Sequence, residues 1–283
     1  MNKDASYCLK LLKESDRDRY LSILFAPLQY REGLASLFAF NVEINRISET
    51  VHEPMIGEIR LRWWRDAIEA GKTGEGNPVL SALLSTIRQY DLPKAALLRY
   101  CDARVFDFYD DQMPDLTSLE GYCGETTSAL LELSCQILEK NASSLTAEAS
   151  GHGGVADFMC RLLRSFPLLK ANGRQYFPKN IVEATAEDFI VSAPHKESEQ
   201  QKKLLNAAIE FDKKHYQKFY QYYKNLPVSV RPVFLPLAII PEALKKIEKK
   251  GTLAFKECVT PSPLRHYLAV TKAAITGRMP KIL

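Results

Sequence analysis

Apolar side chains recur at three- and four-residue intervals along nearly the whole of this 283-residue chain, a period that suits helices and not strands. Leu9, Leu12, Leu21, Leu24 and Phe25 mark a first helical region that must end before Pro27. Leu34, Leu37, Phe38, Phe40 and Ile44 set out a second helix. Ile59, Trp63, Ala67, Trp64 and Ile68 form the apolar face of a third, which Gly71 closes. The same spacing predicts helices over Val79–Tyr90, Leu97–Tyr109, Ser118–Glu139 and Val155–Leu169, the last interrupted by Pro167. Glu197–Lys224 reads as a long amphipathic helix with Leu204, Leu205, Ala208, Phe211, His215 and Phe219 on one side. Leu235–Lys249 and Leu264–Ile275 close the chain, and only Phe189–Val191 hints at an extended segment.

No repeat and no Gly/Ser- or Pro-rich linker divides the chain, so it reads as one all-α domain over residues 1–283. With 46% hydrophobic and 25% charged residues it can bury a core and is not a disordered chain. Cys8, Cys101, Cys123, Cys135, Cys160 and Cys258 are scattered without C-x-x-C or zinc spacing, which predicts reduced and mostly buried thiols. The five histidines lack ligand spacing, so no metal is assigned to them. Gly151-His152-Gly153-Gly154 lacks the Lys and Ser/Thr of a phosphate loop and reads as a turn between helices. Trp63 and Trp64 among Arg60, Arg62 and Arg65 read as core packing with extended arginines, not as a nucleic-acid surface. No signal peptide is evident, and the longest apolar run, Val233–Ile240, is far too short to span a bilayer. The expectation is a soluble or peripheral protein that is not secreted.

Charge is unevenly shared. Residues 1–150 carry 16 Lys/Arg against 23 Asp/Glu, whereas residues 151–283 carry 22 against 11. A basic back half suits an anionic surface, and Lys245, Lys246, Lys249 and Lys250, with Arg265, Lys272 and Arg278 beyond, are the candidate membrane contacts.

The chemistry-bearing segments follow a known order. Gly173-Arg174-Gln175-Tyr176-Phe177-Pro178, with Arg161 and Arg164 ahead of it, resembles the second diphosphate motif of squalene/phytoene synthases, N-x-x-R-D-x-x-x-D followed by G-R-x-Y-[LF]-P. The Arg of that pattern is Arg164. Its Asn position holds Arg161, and its two aspartate positions hold Ser165 and Leu169. The first motif resembles the stretch after Phe38-Ala39-Phe40, where the acidic positions hold Asn45, Arg46 and Glu49. Leu61-Arg62-Trp63-Trp64, Gly76-Asn77-Pro78-Val79, Asp107 through Tyr122-Cys123 and Arg231-Pro232-Val233-Phe234-Leu235-Pro236-Leu237-Ala238 add similar segments, covering the chain from about Tyr20 to Ile275. The last is similar to a short bacterial and mitochondrial branch that includes a non-catalytic factor for respiratory complex I assembly.

That resemblance implies an isoprenoid-synthase-like helical bundle with a central cavity, its core spanning residues 20–275. Family synthases ionise an allylic diphosphate with Mg²⁺ held by facing aspartates, because that ion demands hard oxygen ligands in octahedral geometry. Here one carboxylate, Glu49, remains in those positions, beside Arg46. The reading is therefore a non-catalytic assembly or binding factor with no metal or cofactor. The alternative is an active prenyl-diphosphate transferase, for which Mg²⁺ would be required. Arg46, Arg161, Arg164, Lys170, Arg174 and Tyr176 are the candidates for holding a phosphate without metal, since arginine contacts phosphate bidentately. These arginines could instead pair with Glu43, Glu49, Asp107 or Asp111. Asp107 and Asp111, four apart, could share a helix face. Expected partners are a hydrophobic or isoprenoid-like ligand, a membrane surface and respiratory-complex assembly proteins, with no nucleic acid. The implied location is the bacterial cytoplasm or the mitochondrial matrix, at the inner membrane face.

Overall fold

The computed structural model describes residues 3–51, 53–71, 76–109, 111–171, 173, 176–179 and 199–282. Among them every regular element is helical. The expected extended segment at Phe189–Val191, and Arg174, lie outside the described residues.

Helices α1 (Lys3–Ser15), α2 (Arg17–Leu24) and α3 (Arg31–Thr50) form the first layer. Asp16 separates the first two, its carboxylate accepting from the Arg19 N–H at 3.2 Å and so capping α2. α4 (Pro54–Ala70) begins on a proline and ends at Gly71, whose φ of 63° places it in the left-handed region. In α5 (Pro78–Tyr90) Asn77 caps Leu80, and in α7 (Leu116–Cys123) Asp115 caps Ser118 at 2.7 Å. α6 (Lys94–Ala103) tightens into a 3₁₀ turn at Arg104–Phe108, so the helix expected to Tyr109 ends early. That turn also removes the helix face expected for Asp107 and Asp111: Asp107 is buried and Asp111 is exposed beyond it. The expected single helix over Ser118–Glu139 is interrupted by a π turn, Gly124–Ser128, before α8 (Ala129–Leu138).

α9 (Ser143–Ala171) crosses the centre of the molecule. It corrects the turn expected at Gly151–Gly154, because all four residues lie inside the helix. Two of those glycines are there for packing. A Cβ on Gly154 would fall 2.5 Å from the Ser128 backbone nitrogen, and one on Gly153 would fall 2.9 Å from Leu237. The π turn therefore lies directly on the α9 backbone. Helical structure also continues through Pro167 to Ala171. The Arg164 carbonyl, one turn before that proline, accepts a tertiary hydrogen bond from the Val259 N–H at 2.9 Å.

α10 (Glu199–Tyr223) packs along α9 through Leu204, Leu205, Ala208 and Phe219. A 3₁₀ run at Arg231–Ile239, α11 (Ile240–Lys250) and α12 (Pro263–Thr276) complete the chain. Phe40 joins α3 to its neighbours, 5.4 Å from the Trp64 ring and 5.3 Å from Tyr100. α4 departs from its expected face. Leu61, Trp64 and Ile68 are buried, whereas Ile59 and Trp63 face solvent, Trp63 standing edge-on against Trp64. Five of the six cysteines are buried and all six are free.

The two glycines at either end of the α9 run should respond oppositely to alanine. Gly151→Ala meets no atom within 4 Å and should stabilise by about 0.5–1 kcal/mol from helix propensity alone. Gly154→Ala must push the Ser128 backbone away and should cost about 1–3 kcal/mol. Urea unfolding followed by circular dichroism reads both; a loss for Gly151→Ala or a neutral Gly154→Ala contradicts this packing.

Candidate functional site

α3 and α9 face each other across a cavity of about 530 Å³. Asn41, Asn45, Ser48 and Glu49 line it from α3, on one face by their spacing. Asp157, Arg161, Ser165 and Leu169, four apart, line it from α9, with Phe158, Leu162 and Leu168 supplying apolar wall. The degenerate positions of both motifs thus meet: Asn45 and Glu49 on one wall, Arg161, Ser165 and Leu169 on the other. A second, more polar pocket of about 550 Å³ shares Asn45, Glu49, Arg161 and Ser165, and adds Arg17, Arg46, Arg164, Asp16 and Asp18.

The floor of the cavity is a buried network centred on Arg104, which the motif reading did not single out. Its guanidinium donates to Asp107 and to the Tyr122 hydroxyl, both at 2.9 Å, to the Tyr100 hydroxyl at 3.0 Å, and to Asn45. Tyr122 and Tyr176 both donate to the other Asp107 oxygen, at 2.6 and 2.7 Å, and Tyr100 donates to Asn41 at 2.7 Å. Burial alone would lower the Arg104 pKa. The oxygens of Tyr100, Tyr122, Asp107 and Tyr176 outweigh it and hold the charge well above the ordinary arginine range. Tyr176 is the member of the Gly173–Pro178 stretch that reaches this network, and it does so as a donor to a carboxylate.

Sequence reasoning placed one acid here; the two pockets hold five: Asp16, Asp18, Glu49, Asp107 and Asp157. Four are engaged. Arg19 contacts Asp16 at 2.6 Å and Asp157 at 3.5 Å, Arg161 contacts Asp157 at 3.0 Å, Arg104 contacts Asp107, and His266 contacts Asp18 at 2.8 Å. Burial pushes the Asp18 carboxyl up, but the His266 hydrogen bond and charge, with Arg161 and Arg164, bring it below the usual range. Glu49 has no ion-pair partner among the described residues. Three of these pairs are Asp–Arg at i,i+3 or i,i+4 (Asp16–Arg19, Arg104–Asp107, Asp157–Arg161), a spacing visible in the sequence.

The remaining candidates divide. Arg46 is half-exposed, pairing with Glu43 at 3.2 Å and donating to Ser15 at 2.8 Å. Arg161 and Arg164 line the polar pocket, and Arg164 donates to the Val259 carbonyl. Lys170 is exposed in the last turn of α9 and is not brought to either wall.

This donor set does not fit the magnesium centre that the fold implies. Glu49 is its one carboxylate without a described cationic partner, and among the described residues no group of three or more His, Cys, Asp or Glu side chains is placed to hold a metal. Recruiting Asp107 would strand the buried Arg104, at about 3–5 kcal/mol for the broken pair. The two pockets are lined by six arginines against five carboxylates, a balance suited to an anion.

The squalene/phytoene synthase family model matches residues 12–267. The chain belongs to that family. It is 28% identical over 249 residues to the Bos taurus protein "NADH dehydrogenase (ubiquinone) complex I, assembly factor 6", covering 86% of this chain and 73% of the relative. It is 25% identical over 179 residues to a presqualene diphosphate synthase of Sinorhizobium fredii, covering 62% of this chain and 63% of that one. Among solved structures, a dehydrosqualene synthase bound to ligand superposes with a TM-score of 0.79 at 15% identity, covering 97% of this chain and 96% of that chain. This squalene/phytoene synthase-family chain therefore shares its fold with a dehydrosqualene synthase and is similar in sequence to an assembly factor over most of its length.

One group behind the wall titrates abnormally. Asp212 of α10 is fully buried, and neither carboxylate oxygen has a hydrogen-bond partner. Burial, then the nearby Asp157 charge, pushes its pKa well above the usual carboxyl range. A raised folded-state value means its contribution is fully present below the unfolded pKa and is lost as pH rises through the folded one. Asp212→Asn should therefore add little at pH 4 and stabilise by about 1–3 kcal/mol at pH 8. Urea unfolding at the two pH values checks this; an equal effect at both contradicts it.

Proposed function

We propose that this chain is a non-catalytic member of its family, a binding or assembly factor of the respiratory complex I type. It works at the inner face of a bioenergetic membrane, and its cavity holds an isoprenoid- or lipid-like ligand without metal. The observation that carries this reading is the pairing on the cavity wall. Four of its five carboxylates are already paired with an arginine or hydrogen-bonded to a histidine, so the site lacks free hard-oxygen ligands and presents guanidinium groups instead. The similarity to a complex I assembly factor supports the same direction, because that relative spans most of this chain.

The two pockets divide the ligand. The polar pocket, with Arg17, Arg46, Arg161 and Arg164, suits an anionic head. The cavity beside it, walled by Phe158, Leu162, Leu168 and Leu169, suits an apolar tail. Losing the metal ligands leaves that apolar wall in place, which is how a synthase scaffold can keep a binding role without the chemistry.

Calorimetric titration with farnesyl diphosphate should show binding that EDTA leaves unchanged. Arg46→Gln with Arg164→Gln should weaken it about tenfold or more, the worth of charge-assisted hydrogen bonds to a phosphate. Binding that requires added Mg²⁺ would point instead to the prenyl-diphosphate transferase reading; no binding would remove the diphosphate-type head from this account.

A further inference from the structure

We propose that the outer face of α12, together with the apolar groove at its C-terminal end, is the surface by which this chain lies on an anionic bilayer. This rests on the membrane-surface reading above and names the face that makes the contact. His266, Val270 and Ala273 turn α12 inward. Its opposite side carries Leu264, Leu268 and Ile275, one stripe by spacing, with Tyr267 beside them, and all four are exposed. Ile275 is 78% exposed. At the C-terminal end of α12, a separate groove of about 290 Å³ is lined by Phe25, Val228 and Ala274, and Val228 there is 75% exposed. An unpartnered aliphatic stripe along a whole helix marks a contact site.

Charge selects the occupant. Residues 258–283 contain no Asp or Glu; Arg265 lies 3.7 Å from Glu242 of α11, while Lys272, Arg278 and Lys281 are exposed along or just beyond the helix. The groove's one charged residue, Arg231, donates to the carbonyls of Leu226 and Gly277, so it turns no acid toward a ligand. A helix with an aliphatic stripe, a tyrosine at its border and cations alone fits an interface of acyl chains beneath anionic headgroups. The His266–Asp18 contact pins α12 to α2, so the face is presented already formed. The lysines of α11 are weaker candidates than the sequence suggested. Lys250 is held by Glu257 at 2.8 Å and Lys246 lies 3.7 Å from Glu242, so half of that cluster is already neutralised.

Full-length protein is floated with phosphatidylcholine vesicles, with and without phosphatidylglycerol, at low and high salt. Light scattering of the protein alone follows its oligomeric state. The expected result is binding to the anionic vesicles that 1 M salt weakens. Leu268→Glu or Ile275→Glu should each reduce it about tenfold or more, since each removes a buried aliphatic chain and adds a repelled charge. Lys245→Gln with Lys249→Gln should leave most of it intact. Absent binding at low salt, equal binding to neutral vesicles, or loss confined to the α11 variant overturns the proposal. So does a wild-type oligomer that Leu268→Glu makes monomeric without any vesicle binding, which would assign the face to a second copy. These outcomes leave the farnesyl diphosphate titration untouched, so the membrane face and the cavity reading fail separately.

Discussion

The buried Arg104 charge is the constraint on which the centre of this molecule depends. A guanidinium taken out of water must be met by donors' partners on every side, since an uncompensated ion there costs several kcal/mol. Here five side chains from separate parts of the chain meet it or its carboxylate: Asn45 from α3, Tyr100 from α6, Asp107 from the 3₁₀ turn, Tyr122 from α7 and Tyr176 from the segment after α9. Satisfying one cation thus fixes the relative positions of the elements that floor the cavity. Phe158 packs against Tyr122 and Tyr176 at 5.4 and 5.3 Å, adding an aromatic clamp to the polar one.

The same logic governs the cavity walls. A metal-dependent synthase needs carboxylates whose charge is held in reserve for the ion. In this chain that charge is committed within the protein: Arg19 lies between Asp16 and Asp157, and Arg161 shares Asp157. Such pairs cost little while intact and much when broken, so the arrangement resists conversion to a metal site by one or two substitutions. What the walls keep is shape, apolar surface and a surplus arginine. That combination supports the proposed binding role.

Helix existence was legible because the apolar period is strong and the caps are local; Asn77-Pro78 and Gly71 mark their ends without tertiary help. The facing of the two motif positions was legible through family order, not through physics. The Gly151–Gly154 segment was misread because a glycine run signals a turn locally, and only the packing of the 124–128 π turn against α9 explains why the helix carries it. Ile59 and Trp63 were assigned inward because a helix with apolar residues on two faces does not declare which one is buried. Among the site residues, Asp157–Arg161 and Arg104–Asp107 carried an i,i+4 and an i,i+3 signal. The convergence of Tyr100, Tyr122 and Tyr176 on Arg104 and Asp107 carried none, since residues 22 and 54 apart meet only in the folded chain.

The central claim is that the cavity binds without ionising its ligand. Purified protein incubated with farnesyl diphosphate and saturating Mg²⁺, with released diphosphate measured against a protein-free blank, tests it most directly. No release above the blank is expected. Sustained release that EDTA abolishes would contradict it, and would mean that the paired carboxylates open to take a metal after all.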